Sequence, residues 1–263
     1  MFRRIANTLV VLSALLTSNQ LLAQLENSDE SDAYERALQS WELVLERYVD
    51  TSGRTDFIAL AEDSGDLRRF VDFLESTGPS SHPALFNSPE KILAYHINAY
   101  NALAMLGVIE RGIPEDFDSF FKRAGFFKFR SVVVAGKKTS LYDYENKVIR
   151  PLGDARAHFA LNCMVRDCPR LPMIPFRAES LNEQLEQVSW EFFSKQKHLR
   201  IDDKKRTIYV SAILDFYTED FVASGKPRDL PSYINTYLEN PLPLEYKVKF
   251  IDYDWTINQR PKS

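Results

Sequence analysis

The run from Lys91 to Glu110, KILAYHINAYNALAMLGVIE, constrains this chain more than any other stretch. Ser88-Pro89-Glu90 before it gives an N-cap hydroxyl, a proline for the first turn and an acid near the positive end of the helix dipole. Gly112-Ile113-Pro114 after it stops the helix. Between those signals the sequence is apolar nearly all round, so the helix must be enclosed by the rest of the fold. Its few polar residues then matter. Asn98 and Asn101 stand three apart, on one helical face, and each buried amide needs partners or costs about 1–3 kcal/mol. They either tie down neighbouring loop backbone or meet a ligand directly. His96 reads as a core histidine.

Around this helix the pattern alternates between helical and strand periods. Tyr34, Leu38, Trp41, Val44, Leu45 and Tyr48 mark an amphipathic helix, and Leu67, Phe70, Val71 and Leu74 mark a second. Arg54 to Ile58 reads as a short strand. Phe127–Val134 and Thr139–Leu141 flank a turn at residues 135–138, a hairpin signal. Ser140 with Asp143 fits a capping box and opens a helix through Ile149. Leu181 to Phe192 is helical, Leu199–Ile201 and Thr207–Val210 form a second hairpin, Ala212–Val222 and Pro231–Leu238 are helices, and Glu245–Ile251 is a final strand. No internal repeat or linker interrupts the order. The expected class is α+β, a single domain with several helices packed on small antiparallel hairpins, over residues 33–258.

The N-terminus predicts an address. Arg3 and Arg4 form a charged flank, Leu9–Leu16 an apolar run, and Leu21-Leu22-Ala23 a cleavage site, together a secretory signal peptide over 1–23. Residues 24–32 would be a flexible lead-in. The mature protein is therefore expected to be periplasmic or secreted, with no membrane association after cleavage. The formal charge of −4 offers no basic face for nucleic acid. The expected partner is a small molecule or a peptide.

Chemistry-bearing residues concentrate in Asp154–Leu171, DARAHFALNCMVRDCPRL, which holds His158 and both cysteines of the chain, Cys163 and Cys168. Ala157–Leu161 reads as a short buried strand, which would put His158 and Asn162 on one face and turn Cys163 away unless the chain bends there. A proline-bearing loop follows. A thiol site would use Cys163 or Cys168 as nucleophile, His158 as base, and Asn98, Asn101 or Asn162 as the orienting amide. Asp143 and Glu145 are candidate acids. Asp143 is accounted for by capping. Glu145, beside Tyr142 and Tyr144, is either a general acid or base, or else a solvated helix acid or a partner of Arg150 or Arg156. In an exported protein two cysteines this close invite a disulfide, which would occupy the nucleophile. Neither a metal nor a cofactor is expected: Cys-x4-Cys with one histidine is loose for zinc, and no glycine-rich phosphate loop exists.

Five motifs in order, Ile97–Leu103 (INAYNAL), Ser140–Arg150 (SLYDYENKVIR), His158–Pro169 (HFALNCMVRDCP), Tyr217–Phe221 and Tyr253–Asn258, resemble the DUF547 family. The resemblance implies homology with a family of undetermined activity, and a fold of papain or transglutaminase type. In the family, tryptophan usually stands where this chain has His96, and histidine often stands at Asn146. The combined expectation is a polar cleft with two readings. In the first, Cys163, His158, Glu145 and Asn98 are catalytic, Asn101, Asn162 and Cys168 bind, and the protein is a thiol-type hydrolase or acyl-transferase acting on an amide or ester. In the second, it is a non-catalytic periplasmic binding module with a structural Cys163–Cys168 disulfide.

Overall fold

The computed structural model describes residues 29–261. The signal peptide and most of the lead-in expected from sequence lie outside the described residues. Helix α1 (29–48) is already helical at residue 29 and buries Leu38, Trp41, Val44 and Leu45. Two more helices follow, α2 (Phe57–Glu62) and α3 (Gly65–Ser76), before the central α4 (Pro89–Glu110).

Ser88 caps α4 as its sequence predicts, its Oγ accepting from the Lys91 amide at 3.2 Å, with Pro89 in the first turn. Every α4 residue from Leu93 to Val108 is buried. The helix is long and apolar enough to cross a membrane by composition, yet its surface is covered by protein. It lies against α2, α3 and α6 (Leu141–Tyr144). Removing an apolar helix from water on all sides is the largest favourable contribution available to a chain of this size.

The strands are few. β1 (Val132–Val134) and β2 (Lys137–Thr139) form a tight antiparallel hairpin with Val133 opposite Lys138. β3 (Leu199–Asp202) and β4 (Thr207–Ser211) form a second, with Ile201 opposite Ile208. β5 (Lys247–Ile251) joins β4 in parallel, so this sheet is mixed. Parallel pairing needs a crossover, and here α8 (Ile213–Phe216), α9 (Thr218–Phe221) and α10 (Leu230–Ile234) provide it. The molecule is one α+β domain.

Four readings need correction. Arg54–Ile58 is not a strand: Thr55 makes two isolated bridges, and Asp56 then caps α2 by accepting from the Ala59 amide at 3.1 Å. Ala157–Leu161 is not a strand either. Residues Ala155–Phe159 form a 3-10 turn, because Asp154 accepts from the Arg156 amide at 3.0 Å and its carbonyl takes the Ala157 amide at 3.1 Å. A capping aspartate thus overrode an apolar run that looks extended. The helix expected over Ala212–Val222 breaks at Tyr217, where φ is −134°. The packing is not on antiparallel hairpins alone, since β4 and β5 run the same way.

After β5 the chain is pinned by isolated bridges, Thr256 with Asp116, Ile257 with Val165 and Gln259 with Thr55. This tail brings Tyr253 and Trp255 alongside the central loop.

Candidate functional site

A cavity of about 240 Å³ lies between α4, α6, the Asp154–Leu171 segment, α8 and the C-terminal tail. Tyr100 of α4, Phe127, Tyr142, Phe216, Tyr217, Tyr253 and Trp255 supply ring surface; Glu145, His158, Cys163 and Cys168 supply chemistry; Arg123 and Lys128 stand among the lining residues. At the opening, Phe120 and Phe216 are exposed, and Phe121 beside them is 85% exposed.

Two π-helical turns shape it. α5 (Phe120–Arg123) runs on into a π turn over Ala124–Lys128, and α6 runs on into a second over Glu145–Ile149. A π turn widens the helix and re-aims the residues that follow, a geometry common at sites. The second makes Glu145 a buried residue, 9% exposed, rather than a solvated acid. It does not pair with Arg150 or Arg156, the partners its sequence position suggested. Arg150 donates instead to Asp220 Oδ2 at 2.6 Å, Asp220 Oδ1 at 2.9 Å, Glu219 Oε1 at 2.9 Å and Asn146 Oδ1 at 2.7 Å. Arg156 is held by Asp154 and Glu186. Glu145 faces the Tyr100 and Tyr217 hydroxyls. Burial first, and then this carboxylate, push both phenols well above their ordinary range, so each is a permanent donor.

His158 stacks on Tyr217, ring centroids 4.0 Å apart and 19° from parallel. Its Nε2 donates to Asp220 Oδ2 at 2.8 Å. The direction follows from the acid. Burial works to raise Asp220, but the hydrogen bonds from His158 and Arg150 outweigh it and hold the carboxyl well below the usual range. An ionised carboxylate only accepts. In the neutral ring the lone pair then sits on Nδ1. Among the described residues Nδ1 has no hydrogen-bond partner, and it is not a sealed orphan of the kind His198 Nδ1 is.

Cys163 and Cys168 are joined in a disulfide, with Cα atoms 6.2 Å apart. The bend that brings the sulfurs together is at Met164, whose φ of 66° is left-handed, a cost of about 1–2 kcal/mol for a non-glycine residue. Asn162 Oδ1 accepts from the Met164 amide at 2.8 Å, and the Met164 carbonyl accepts from Asn258 at 2.9 Å; together they hold the bend. The Cys163 amide donates to Cys168 Sγ at 3.1 Å and the Tyr253 hydroxyl to the same sulfur at 3.5 Å. Cys163 is part-exposed, Cys168 buried. With both sulfurs bonded, the His158–Cys163–Cys168 metal set has no thiolate to offer.

The asparagines work on backbone. Asn98 Nδ2 donates to the Phe176 carbonyl at 2.7 Å, and its Oδ1 accepts from the Phe176 amide at 3.0 Å and from Trp41 Nε1 at 3.3 Å. Asn101 bonds the Ala160 carbonyl at 3.0 Å and the Asn162 amide at 2.7 Å. Asn162 also donates to the Pro169 carbonyl at 2.7 Å. None of the three lines the cavity; they fix the segment that does. Asn146 likewise stands outside it, bonded to Arg150 and the Tyr142 carbonyl. His96 accepts at Nδ1 from the buried Tyr144 hydroxyl at 2.6 Å, as a core histidine.

Sequence reasoning passed over Asp220. Its only signal was its place within Tyr217–Phe221, a motif carried as family resemblance.

Residues 86–193 match a family profile described as "Protein of unknown function, DUF547". This segment is a DUF547 domain. The match covers α4, both π turns and the His158–Cys168 loop, and stops before Asp220, Tyr253 and Trp255, so the DUF547 segment supplies only part of the cavity wall. No curated protein and no solved structure matches the chain.

Proposed function

We propose that this DUF547 protein is an exported binding module whose aromatic cavity takes the apolar part of a small molecule or peptide, with the Cys163–Cys168 disulfide as a fixed piece of its wall. One observation carries the reading: the two sulfurs that a thiol enzyme would need are bonded to each other on the lining of a ring-walled cavity. Such cavities, mostly apolar with a few polar groups, are the usual form of small-ligand sites. A neutral environment-sensitive dye, N-phenyl-1-naphthylamine, tests it. Saturable binding near one dye per protein is expected, weakened at least tenfold by Trp255→Ala and Phe216→Ala in protein that still unfolds cooperatively above the assay temperature. Dye fluorescence that never saturates, or that ignores both substitutions, removes the reading.

A second reading draws on the His158–Asp220 pair, whose histidine lines the same cavity as Cys163. A dithiol reductant would convert the disulfide to two thiols and itself become a disulfide. Cys163 would then lose its proton to His158 Nδ1 and attack an ester or amide carbonyl; the departing alcohol or amine would take that proton, and water or an acceptor would release the acyl group. Asp220 would hold the ring in the required tautomer. This reading requires that p-nitrophenyl acetate hydrolysis appear only after reduction and vanish in Cys163→Ser.

A further inference from the structure

We infer that the cavity is selective for a positively charged ammonium head, held at Glu145 and the tyrosines around it, with the ligand's apolar part running toward the mouth. The inference rests on the binding reading above and adds the ligand's charge.

Glu145 is the starting point. It is a buried carboxylate on a cavity wall, and among the described residues no Lys, Arg or His nitrogen lies within 4 Å of it. The nearby cations are committed elsewhere: Lys147 to Asp143 at 3.1 Å, and Arg150 to Asp220 and Glu219. A carboxylate withdrawn from water without a counter-ion is disfavoured unless hydrogen bonds or a cation offset it. Tyr100 and Tyr217 line the same wall, and their hydroxyls stand close enough to Glu145 to supply part of that offset. Glu145 lines the cavity, so the cationic head of a ligand can reach it there.

The rings around it favour the same sign. Tyr253 and Trp255 lie 4.7 Å apart at 56°, and Phe216 lies 5.6 Å from Tyr253 at 61°. Mutually tilted rings offer several π faces to one volume, and a π face attracts a cation. The protein's own cations already respond to this. The Arg123 guanidinium sits 4.8 Å over Trp255, and the Lys128 ammonium 4.3 Å over Tyr142. Arg123 is fixed there by the Phe117 and Asp118 carbonyls, at 3.1 and 2.6 Å. Lys128 is exposed, and no carboxylate among the described residues lies within 4 Å of its ammonium. It is therefore the internal competitor of an incoming ammonium.

Three probes of matched chain length decide the point: octyltrimethylammonium, octanol and octanoate, each competing with N-phenyl-1-naphthylamine on the disulfide-bonded protein. The expected order is cation, then neutral, then anion, with at least tenfold between the first two. Glu145→Gln should erase that gap while leaving octanol unchanged. Lys128→Met, on an exposed residue, should tighten octyltrimethylammonium severalfold and leave octanol alone. Equal binding of all three probes, or octanoate binding best, overturns the charge selectivity yet leaves the binding module standing. A cation preference that survives Glu145→Gln, or Lys128→Met weakening the cation, overturns it too. Failure of every probe to displace bound dye overturns the charge selectivity, and absence of saturable dye binding rejects both.

Discussion

Asp220 Oδ2 accepts from His158 Nε2 at 2.8 Å, joining residues 62 apart in sequence. Arg150 forks onto the same carboxylate, Nε donating to Oδ2 and Nη2 to Oδ1. The folded-state pKa of Asp220 is depressed, so its contribution to stability is present above the unfolded value of about 3.9 and lost as pH falls toward the folded one. Asp220→Asn should therefore unfold at lower urea than the wild type at pH 7. The gap should narrow as pH drops below about 4. Urea midpoints between pH 2 and 7 give the answer; a gap that stays constant across that range would show that the carboxylate charge is not what the fold uses.

The disulfide predicts a thiol count. Cys163 and Cys168 are the only cysteines in the chain and are bonded to each other. The protein isolated without reductant should show no thiol reactive toward Ellman's reagent, folded or in guanidinium, and two after reduction. Replacing both by alanine should cost about 2 kcal/mol, the chain entropy released when so short a loop is opened. A reactive thiol in the unreduced protein would shift the balance toward the enzyme reading.

Asn98 and Asn101 should behave as structural residues. Asn98→Leu strands the Phe176 amide and carbonyl and the Trp41 indole N–H; Asn101→Leu strands the Ala160 carbonyl and the Asn162 amide. With about 1–3 kcal/mol for each buried group left unmade, each variant should lose more than about 2 kcal/mol. Asn146→Ala, at a position outside the cavity, should lose less than about 1 kcal/mol. Urea unfolding ranks the three, and an Asn146 variant as unstable as the other two would assign that family departure a structural weight the geometry does not give it.

What the sequence made legible was local. The Ser88 cap, the Ser140 cap accepting from the Asp143 amide at 3.1 Å, and the hairpin of β3 and β4 each declare themselves within a few residues. The burial and bonding of Asn98 and Asn101 followed from one helix being apolar all round. Parts that depend on distant partners were hidden. His158 finds its acid beyond β4, and β5 chooses a parallel neighbour across a long crossover. The 3-10 turn at His158 was masked by apolar residues that fit a strand equally well. No short-range pattern announces a π turn, so Glu145 read first as a solvated helix acid or an arginine's partner and only second as a site acid.

The buried histidines predict a second, milder acid sensitivity. Burial lowers His96 to about 4; burial, with Lys197 and Lys195 beside it, lowers His198 to about 3. Both are neutral in the fold, and His198 Nδ1 is sealed without a partner. For a base depressed on folding, the contribution is complete above the unfolded value of about 6.5 and declines as pH falls toward the folded one. Stability should therefore begin to fall near pH 6, well before Asp220 titrates. His198→Phe keeps the stacking on Phe192, at 3.9 Å and 14°, and removes the orphan nitrogen. That variant should be no less stable at pH 7 and should show a flatter curve between pH 6.5 and 4. Parallel curves for variant and wild type would mean that His198 binds no extra proton on unfolding, and would contradict its burial as a neutral ring.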